Sequence, residues 1–241
     1  MNIKLVAILA AILISGLCVL KIAEAEMLKS KSLNTKQERI VPIAAFTASG
    51  DLPKLKTALD DGLDASLTVS EIKEILVQLY AYCGFPRSLN AIDAFMGVLA
   101  ERQKRGLKDN PGREPNPLPT DKSSIELGAE NQTRLSGKPV TGPIYTFAPA
   151  IDRFLKGHLF GDIFGRDVLT FQEREIATIS ALANMKGVNP QLQAHLNIGL
   201  NMGLTEAELR GIIAVLAARV GRQEADNAAE LLGKVLASRA K

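Results

Sequence analysis

The amino-acid sequence predicts an all-α protein in which two similar helical units are joined by a Pro-rich linker. Aromatic residues make up only 5% of the 241 residues and Trp is absent, whereas strands are usually rich in aromatic and β-branched side chains. The chain also repeats itself at a fixed offset. Each copy carries helix-start signals followed by apolar residues at helical spacing.

The repeat is clearest between residues 53 and 91, where 14 of 39 residues are identical to those 137 positions further on. The identities include residues that begin and end helices, namely Pro53/Pro190, Thr68/Thr205 and Gly84/Gly221. So dense a match predicts a duplication. We place the first unit at residues 36–105 and the second unit at residues 150–239.

The N-terminus resembles an export signal. Lys4 is followed by an apolar run from Leu5 to Leu20, and Ala23-Glu24-Ala25 has the small side chains that a signal peptidase requires. We therefore expect residues 1–25 to be a signal peptide, cleaved after Ala25, and the protein to be exported to the periplasm. The alternative is an uncleaved anchor, because the run is close to the shortest that spans a bilayer.

Four helices are predicted in each unit. The first covers about 36–48 in one copy and 171–186 in the other, and the second begins at Pro53 and Pro190, since proline suits a first helical turn. Thr68 and Thr205 each precede a glutamate by three residues, which predicts a capping box at the start of the third helix. A glycine then separates the third helix from the fourth.

The two units are separated by a linker at residues 106–149. Four of the eleven prolines fall within 106–120, which predicts an exposed, non-helical segment. Residues 121–135 have the pattern of one further amphipathic helix. No segment shows a strand pattern of comparable strength.

Charge and composition limit the possible partners. The net charge is only +3, which favours neither nucleic acid nor an anionic membrane surface as a partner. Membrane contact is expected only through an uncleaved N-terminus.

Cleavage would leave Cys83 as the only cysteine and so exclude an internal disulfide. His158 and His195 lack ligand-spaced partners, so no metal is expected. Apolar faces on such small units predict a homo-oligomer.

Several segments carry a family resemblance. They are Leu159-Phe-Gly-Asp-Ile-Phe-Gly-Arg-Asp-Val-Leu169, Arg174-Glu-Ile-Ala-Thr-Ile-Ser-Ala-Leu182, His195-Leu-Asn-Ile-Gly-Leu-Asn-Met-Gly-Leu-Thr205 and, in the first unit, Tyr80-Ala-Tyr-Cys-Gly-Phe-Pro-Arg-Ser-Leu-Asn-Ala91. With the helix order, these segments resemble the carboxymuconolactone decarboxylase and alkylhydroperoxidase D superfamily. The resemblance implies two tandem alkylhydroperoxidase D-like helical units. It does not fix the activity, because one fold can host different chemistry.

The superfamily implies two mechanisms. The alkylhydroperoxidase branch uses a Cys-x-x-Cys pair just before the family histidine, and Val188 and Gln191 occupy those positions here. Without two sulfurs a dithiol cycle is not available, so peroxidase activity is disfavoured. The decarboxylase branch uses no thiol and no cofactor. It implies proton transfer and loss of carbon dioxide on a small lactone or carbonyl acid.

The resemblance also implies site residues. His195 matches the family histidine and is the expected proton carrier, although a histidine among apolar neighbours can also be structural. Asp162 lies where the family often has glutamate and is the second catalytic candidate, with a helix cap or surface pair as the alternative. Arg166 is expected to bind a substrate carboxylate unless it is a surface charge. Arg174 is expected to form a structural ion pair with Glu173.

The first unit lacks the histidine and has Ala58 in its place. It keeps the aromatic segment with Tyr80, Tyr82 and Cys83, which the second unit replaces with Arg219-Val220-Gly221-Arg222-Gln223. We therefore expect one composite site per chain, in which these three residues contact substrate or form a cavity wall. A buried Cys83 is the ordinary alternative. A non-catalytic helical binding or assembly protein is the alternative to an enzyme.

Overall fold

The computed structural model describes residues 32–240, and the expected signal peptide lies outside the described residues. All regular secondary structure in the described part of the chain is helical, which confirms the predicted all-α class. Within residues 32–240, no helix is long and apolar enough to cross a membrane.

The first unit contains α1 (Thr35–Ser49), α2 (Leu52–Asp64), α3 (Val69–Cys83) and α4 (Phe85–Lys104). The linker contains α5 (Ser124–Ser136) and a short α6 (Pro143–Phe147), one helix more than expected. Then come α7 (Pro149–Phe154) and a π-helix, π1 (Leu155–Ile163). The second unit continues with α8 (Phe171–Ala183), α9 (Asn189–Asn201), α10 (Glu206–Arg219) and α11 (Arg222–Arg239).

The predicted helix starts are confirmed where they were most specific. Thr68 and Thr205 each accept a hydrogen bond from the backbone N–H three residues later, and Glu71 and Glu208 bind the cap N–H in return. These capping boxes satisfy N–H groups that have no partner inside the helix. Helices α2 and α9 begin and end 137 residues apart, the same offset that the sequence repeat has.

The centre of the molecule is formed by α1 and α8, the first helices of the two units, which pack against each other. Residues 40–48 of α1 and 174–183 of α8 are all buried. A helix that is buried on every side must be largely apolar, because its polar side chains have no water to contact. The few ionisable groups on α8 are therefore conspicuous.

Each third helix packs on the first helix of the other unit. Helix α3 contacts α8, and α10 contacts α1 in a corresponding way. The end of α3 consequently lies close to the second unit, and the end of α10 lies close to the first. This reciprocal packing brings side chains from both units to the same two places.

The linker packs against the helical units at its start and along α5. Backbone carbonyls of Asn110 and Pro111 accept hydrogen bonds from the first N–H groups of α3. Arg102, 4% exposed, binds Asp60, Asp64 and Asp109. Glycines 128 and 161 bring α5 and π1 into contact, because a Cβ at either position would overlap a backbone carbonyl of the other helix.

Candidate functional site

A buried acid–base pair joins α8 and α9. Glu175 is fully buried, and its Oε2 lies 2.8 Å from Nδ1 of His195, which is 8% exposed. An ionised carboxylate only accepts hydrogen bonds, so in a neutral imidazole Nδ1–H donates to Glu175 and Nε2 is left as the basic nitrogen. The pair therefore fixes the ring orientation and the tautomer of His195.

Tyr82 reaches this pair from the first unit, at the end of α3. Its ring meets the His195 ring edge-on, with 5.5 Å between the ring centres and 79° between the planes. Burial, and next the negative charge of Glu175, raise the pKa of the Tyr82 hydroxyl above its usual range. The hydroxyl therefore stays protonated at neutral pH and is available as a hydrogen-bond donor.

Three buried polar atoms in this region have no hydrogen-bond partner within residues 32–240. They are Oε1 of Glu175, the hydroxyl of Tyr82 and Nε of Arg174. The Thr178 hydroxyl lies near Tyr82 and acts to lower its pKa, but the two hydroxyls are not in hydrogen-bonding geometry. Unsatisfied buried groups are costly, so polar atoms of a ligand or water would be stabilised there.

An ion-pair network borders this region where α3 contacts α8. Glu74, 4% exposed, accepts from Nε of Arg166 at 2.9 Å and from Nη2 of Arg174 at 3.2 Å. Arg174 is fully buried, which lowers its pKa, while Glu74 opposes that effect. Gln78 adds hydrogen bonds to Arg174 and to Thr178.

This network differs from two expectations. Arg166 is bound by Glu74 through two of its nitrogens, and Glu74 raises the pKa of Arg166. The expected ion pair of Arg174 with Glu173 does not form, since Arg174 binds Glu74. The Glu173 carboxylate instead caps α8 through the N–H and hydroxyl of Thr170. The capping requirement of the helix start outweighs a local ion pair.

Asp162 belongs to a different, exposed group on π1. Its carboxylate lies 2.9 Å from Nδ1 of His158, and both side chains are about half exposed. Tyr80 packs beside His158, with 5.5 Å between the ring centres, and stacks on Phe85 at 4.3 Å. Asp162 and Arg166 thus form no hydrogen bond with His195, whose partner is Glu175.

Cys83 ends α3 and is half-buried. Its thiol donates to the carbonyl of Leu79 at 3.1 Å. Burial raises the pKa of the thiol, and Arg87 offsets that only in part. A thiol in this state is a weak nucleophile at neutral pH. Among residues 32–240, no group of three or more His, Cys, Asp or Glu side chains is arranged to hold a metal ion.

Sequence reasoning singled out His195 and Tyr82 but missed Glu175. A signal was present, because Glu175 begins an otherwise uncharged run, Ile176-Ala-Thr-Ile-Ser-Ala-Leu182, in a helix that had to be buried. With a two-residue gap in the loop that follows the first helix, Glu38-Arg39 pairs with Glu173-Arg174, and Ile40 lies opposite Glu175. A carboxylate in one copy and an isoleucine in the other indicates that the carboxylate is not needed for packing.

The comparisons agree with the resemblance in part. Residues 149–233 match the family model described as "Carboxymuconolactone decarboxylase family". An uncharacterized protein of Methanocaldococcus jannaschii is 26% identical over 77 residues, which are 32% of this chain and 72% of that protein. The matched segment contains Glu175 and His195, whereas Tyr82 lies outside it.

Proposed function

We propose that this protein is a carboxymuconolactone-decarboxylase-like enzyme that moves a proton, without a cofactor, on a small lactone or carbonyl acid. The observation that carries the proposal is the buried Glu175–His195 pair with the Tyr82 ring against it. Such a pair provides an oriented base in a site that excludes most water. The match of residues 149–233 to the decarboxylase family supports the same class of reaction.

The chemistry follows from the free nitrogen of the ring. Nε2 of His195 removes a proton from a carbon next to a carbonyl, and Glu175 stabilises the imidazolium that forms by accepting from Nδ1–H. The imidazolium then returns a proton to that carbon. In a decarboxylation the bond to the carboxylate breaks in place of the C–H bond, its electrons form the enolate as carbon dioxide leaves, and an imidazolium that has taken its proton from water protonates the carbon. The Tyr82 hydroxyl is available to donate to the developing enolate oxygen.

The other expected site residues have separate roles in this proposal. Asp162 and Tyr80 belong to the exposed group with His158, and Arg166 supports the packing of α3 on α8 through Glu74. Arg166 would bind a substrate carboxylate only by exchanging it for Glu74. Cys83 forms part of the wall beside Tyr82 and takes no part in the reaction.

The two units at residues 36–105 and 150–239 are proposed to derive from a duplication, with export directed by residues 1–25. The equal offset of α2 and α9 and the reciprocal packing of α3 and α10 support the duplication. Because Tyr82 and His195 come from different units, a duplicated chain forms one composite site.

An assembly role is the second candidate, and an exposed apolar surface favours it. The short helices α6 and α7, which are separated by Ala148, carry four apolar side chains that are exposed by 42% to 91%: Ile144, Phe147, Ile151 and Phe154. Monomers rarely expose a large apolar surface. We propose that it is covered by a second copy of the chain, so that the enzyme is a homo-oligomer.

The proposal is tested with a substrate panel of carboxylated lactones, β-keto acids and hydroperoxides, followed by NMR in D2O. We expect a lactone or keto acid to lose carbon dioxide or to exchange hydrogen for deuterium next to its carbonyl. His195→Gln keeps a hydrogen-bonding side chain of similar size and should abolish this exchange. Hydroperoxide turnover that depends on Cys83, or no turnover of any panel member, would contradict the proposal.

The assembly is tested separately, by light scattering of Phe147→Asp against the unchanged protein.

A further inference from the structure

A cavity of about 220 Å³ lies where α1 and α2 of the first unit meet the end of α10 of the second unit, at the place that corresponds to the His195 site. Its floor is apolar, formed by Pro42, Phe46 and Ala58, and its rim carries Lys54, Asp61 and Arg219. Ala58 is the residue opposite His195 in the repeat, and Arg219 is the residue opposite Tyr82. In both places the middle of a second helix therefore meets the end of a third helix from the other unit, but with different side chains.

This cavity has no acid–base pair. Ile40 and Ala58 replace Glu175 and His195, and both are buried. An isoleucine and an alanine cannot move a proton, so the cavity has no means for the proposed reaction. Replacing a large imidazole by a methyl group nevertheless leaves room for a ligand above Ala58.

The rim favours an anionic ligand. Asp61 accepts from Nη1 of Arg39 at 3.3 Å and from Nη1 of Arg219 at 3.0 Å, so one carboxylate is shared by two guanidinium groups. Nε of Arg39 is buried and has no partner within the described residues. Lys54, 5.6 Å from the centre of the Phe46 ring, adds a third positive charge and is itself paired with Asp51 at 3.0 Å. Three positive groups thus face two carboxylates, Asp51 and Asp61, which leaves an excess of one positive charge.

The size of the cavity favours a single ring. An apolar cavity of about 150 Å³ already admits benzene, so this volume accommodates a six-membered ring with one carboxylate. Phe46 and Pro42 would contact the ring, while Arg219 and Lys54 would meet the carboxylate at the rim.

We propose that the protein holds a second, non-catalytic site that binds a small cyclic carboxylate between Ala58 of the first unit and Arg219 of the second unit. The site does not depend on His195, so it stands whether or not the proposed reaction is correct. Its ligand belongs to the same chemical class as the expected substrate.

Benzoate is the probe, with benzyl alcohol as an uncharged control of similar size. Benzoate is titrated into the protein with 13C-labelled alanine methyl groups, and the Ala58 methyl signal is followed by NMR. We expect a saturable shift of this signal, with benzyl alcohol binding at least about tenfold more weakly because it lacks the charge. Ala58→Leu fills the floor and should abolish benzoate binding, as followed by calorimetry.

Two variants at the rim of the cavity test the proposal without the change in the core that Ala58→Leu introduces. Arg219→Gln and Lys54→Gln should each weaken benzoate binding, by about tenfold for Arg219, since a charged donor is lost. His195→Gln is the matched control and should leave the affinity within about twofold, because it changes only the corresponding residue of the other unit. Absence of a saturable Ala58 shift, equal affinity for benzyl alcohol, or unchanged binding in Arg219→Gln would overturn the proposal.

Discussion

The two units place different chemistry at corresponding positions. Where α8 and α9 meet, Glu175 and His195 form a buried hydrogen-bonded pair. Where α1 and α2 meet, Ile40 and Ala58 are buried, and an adjacent cavity replaces the imidazole. Both members of the pair differ between the units, which is expected because removing only one would leave an uncompensated polar group in the core.

The contacts between the two units differ in the same way: they are polar on the side of the histidine and apolar on the other side. On the side of the histidine, Glu74 and Gln78 of α3 hold the buried Arg174 of α8. On the other side, the repeat places Gly211 and Val215 at those positions of α10, and Leu33 packs beside Gly211. Buried charges are rarely more stable than a well-packed apolar core. The buried polar residues at this contact are therefore better explained by a role in the proposed reaction than by a contribution to stability.

The largest expected effect comes from the histidine. In His195→Gln the turnover of the substrate found in the panel should fall by about 10²–10⁴-fold, because the acid–base group is lost. The amide can still donate to Glu175, so the melting temperature should change little. Steady-state kinetics and thermal unfolding of the same preparation measure both quantities. Turnover within tenfold of the unchanged enzyme would mean that His195 is only a structural residue.

The second prediction concerns the replacement of Glu175 and His195 by the residues that the first unit has at the corresponding positions. His195→Ala alone leaves Glu175 buried without its partner and should lower the free energy of unfolding by about 3–5 kcal/mol. The double variant Glu175→Ile with His195→Ala reproduces Ile40 and Ala58 and should recover most of that loss. Urea unfolding gives the four free energies of the cycle. A double variant whose loss equals the sum of the losses in Glu175→Ile and His195→Ala would show that Glu175 and His195 are not coupled.

Much of the fold could be predicted from the sequence because its signals are local. Thr68 and Thr205 with their glutamates, and Pro53 and Pro190, fix helix starts within a few residues. The candidate site was only partly predictable, because it depends on which helices meet. Glu175 and His195 are 20 residues apart and come together only when α8 packs on α9. Likewise, nothing near Arg166 in sequence indicates that Glu74, 92 residues away, binds it.

A smaller effect is expected at Tyr82, the contribution of the first unit to the composite site. Tyr82→Phe removes a hydroxyl that has no partner among the described residues, so the melting temperature should stay equal or rise slightly. If the hydroxyl donates to the enolate oxygen, turnover should fall by about tenfold, with little change in KM. Arg219→Phe, at the corresponding position of the second unit, is the matched control for kinetics. Equal turnover in Tyr82→Phe and the unchanged enzyme would confine the reaction to the second unit.

The smallest effect is expected at Cys83, next to Tyr82. Cys83→Ser should leave turnover within a few-fold, because the single cysteine of residues 32–240 cannot complete a dithiol cycle and its thiol already donates to Leu79. Burial raises the pKa of this thiol, so the folded state disfavours the thiolate. The contribution of Cys83 to stability is therefore complete below the pKa of the unfolded thiol and declines as the pH rises through the higher folded value. Alkylation by iodoacetamide should accordingly be slower in the folded protein than in urea at pH 8, and should accelerate with pH. Fast labelling of the folded protein at pH 7, with loss of activity in Cys83→Ser, would instead make the thiol part of the composite site.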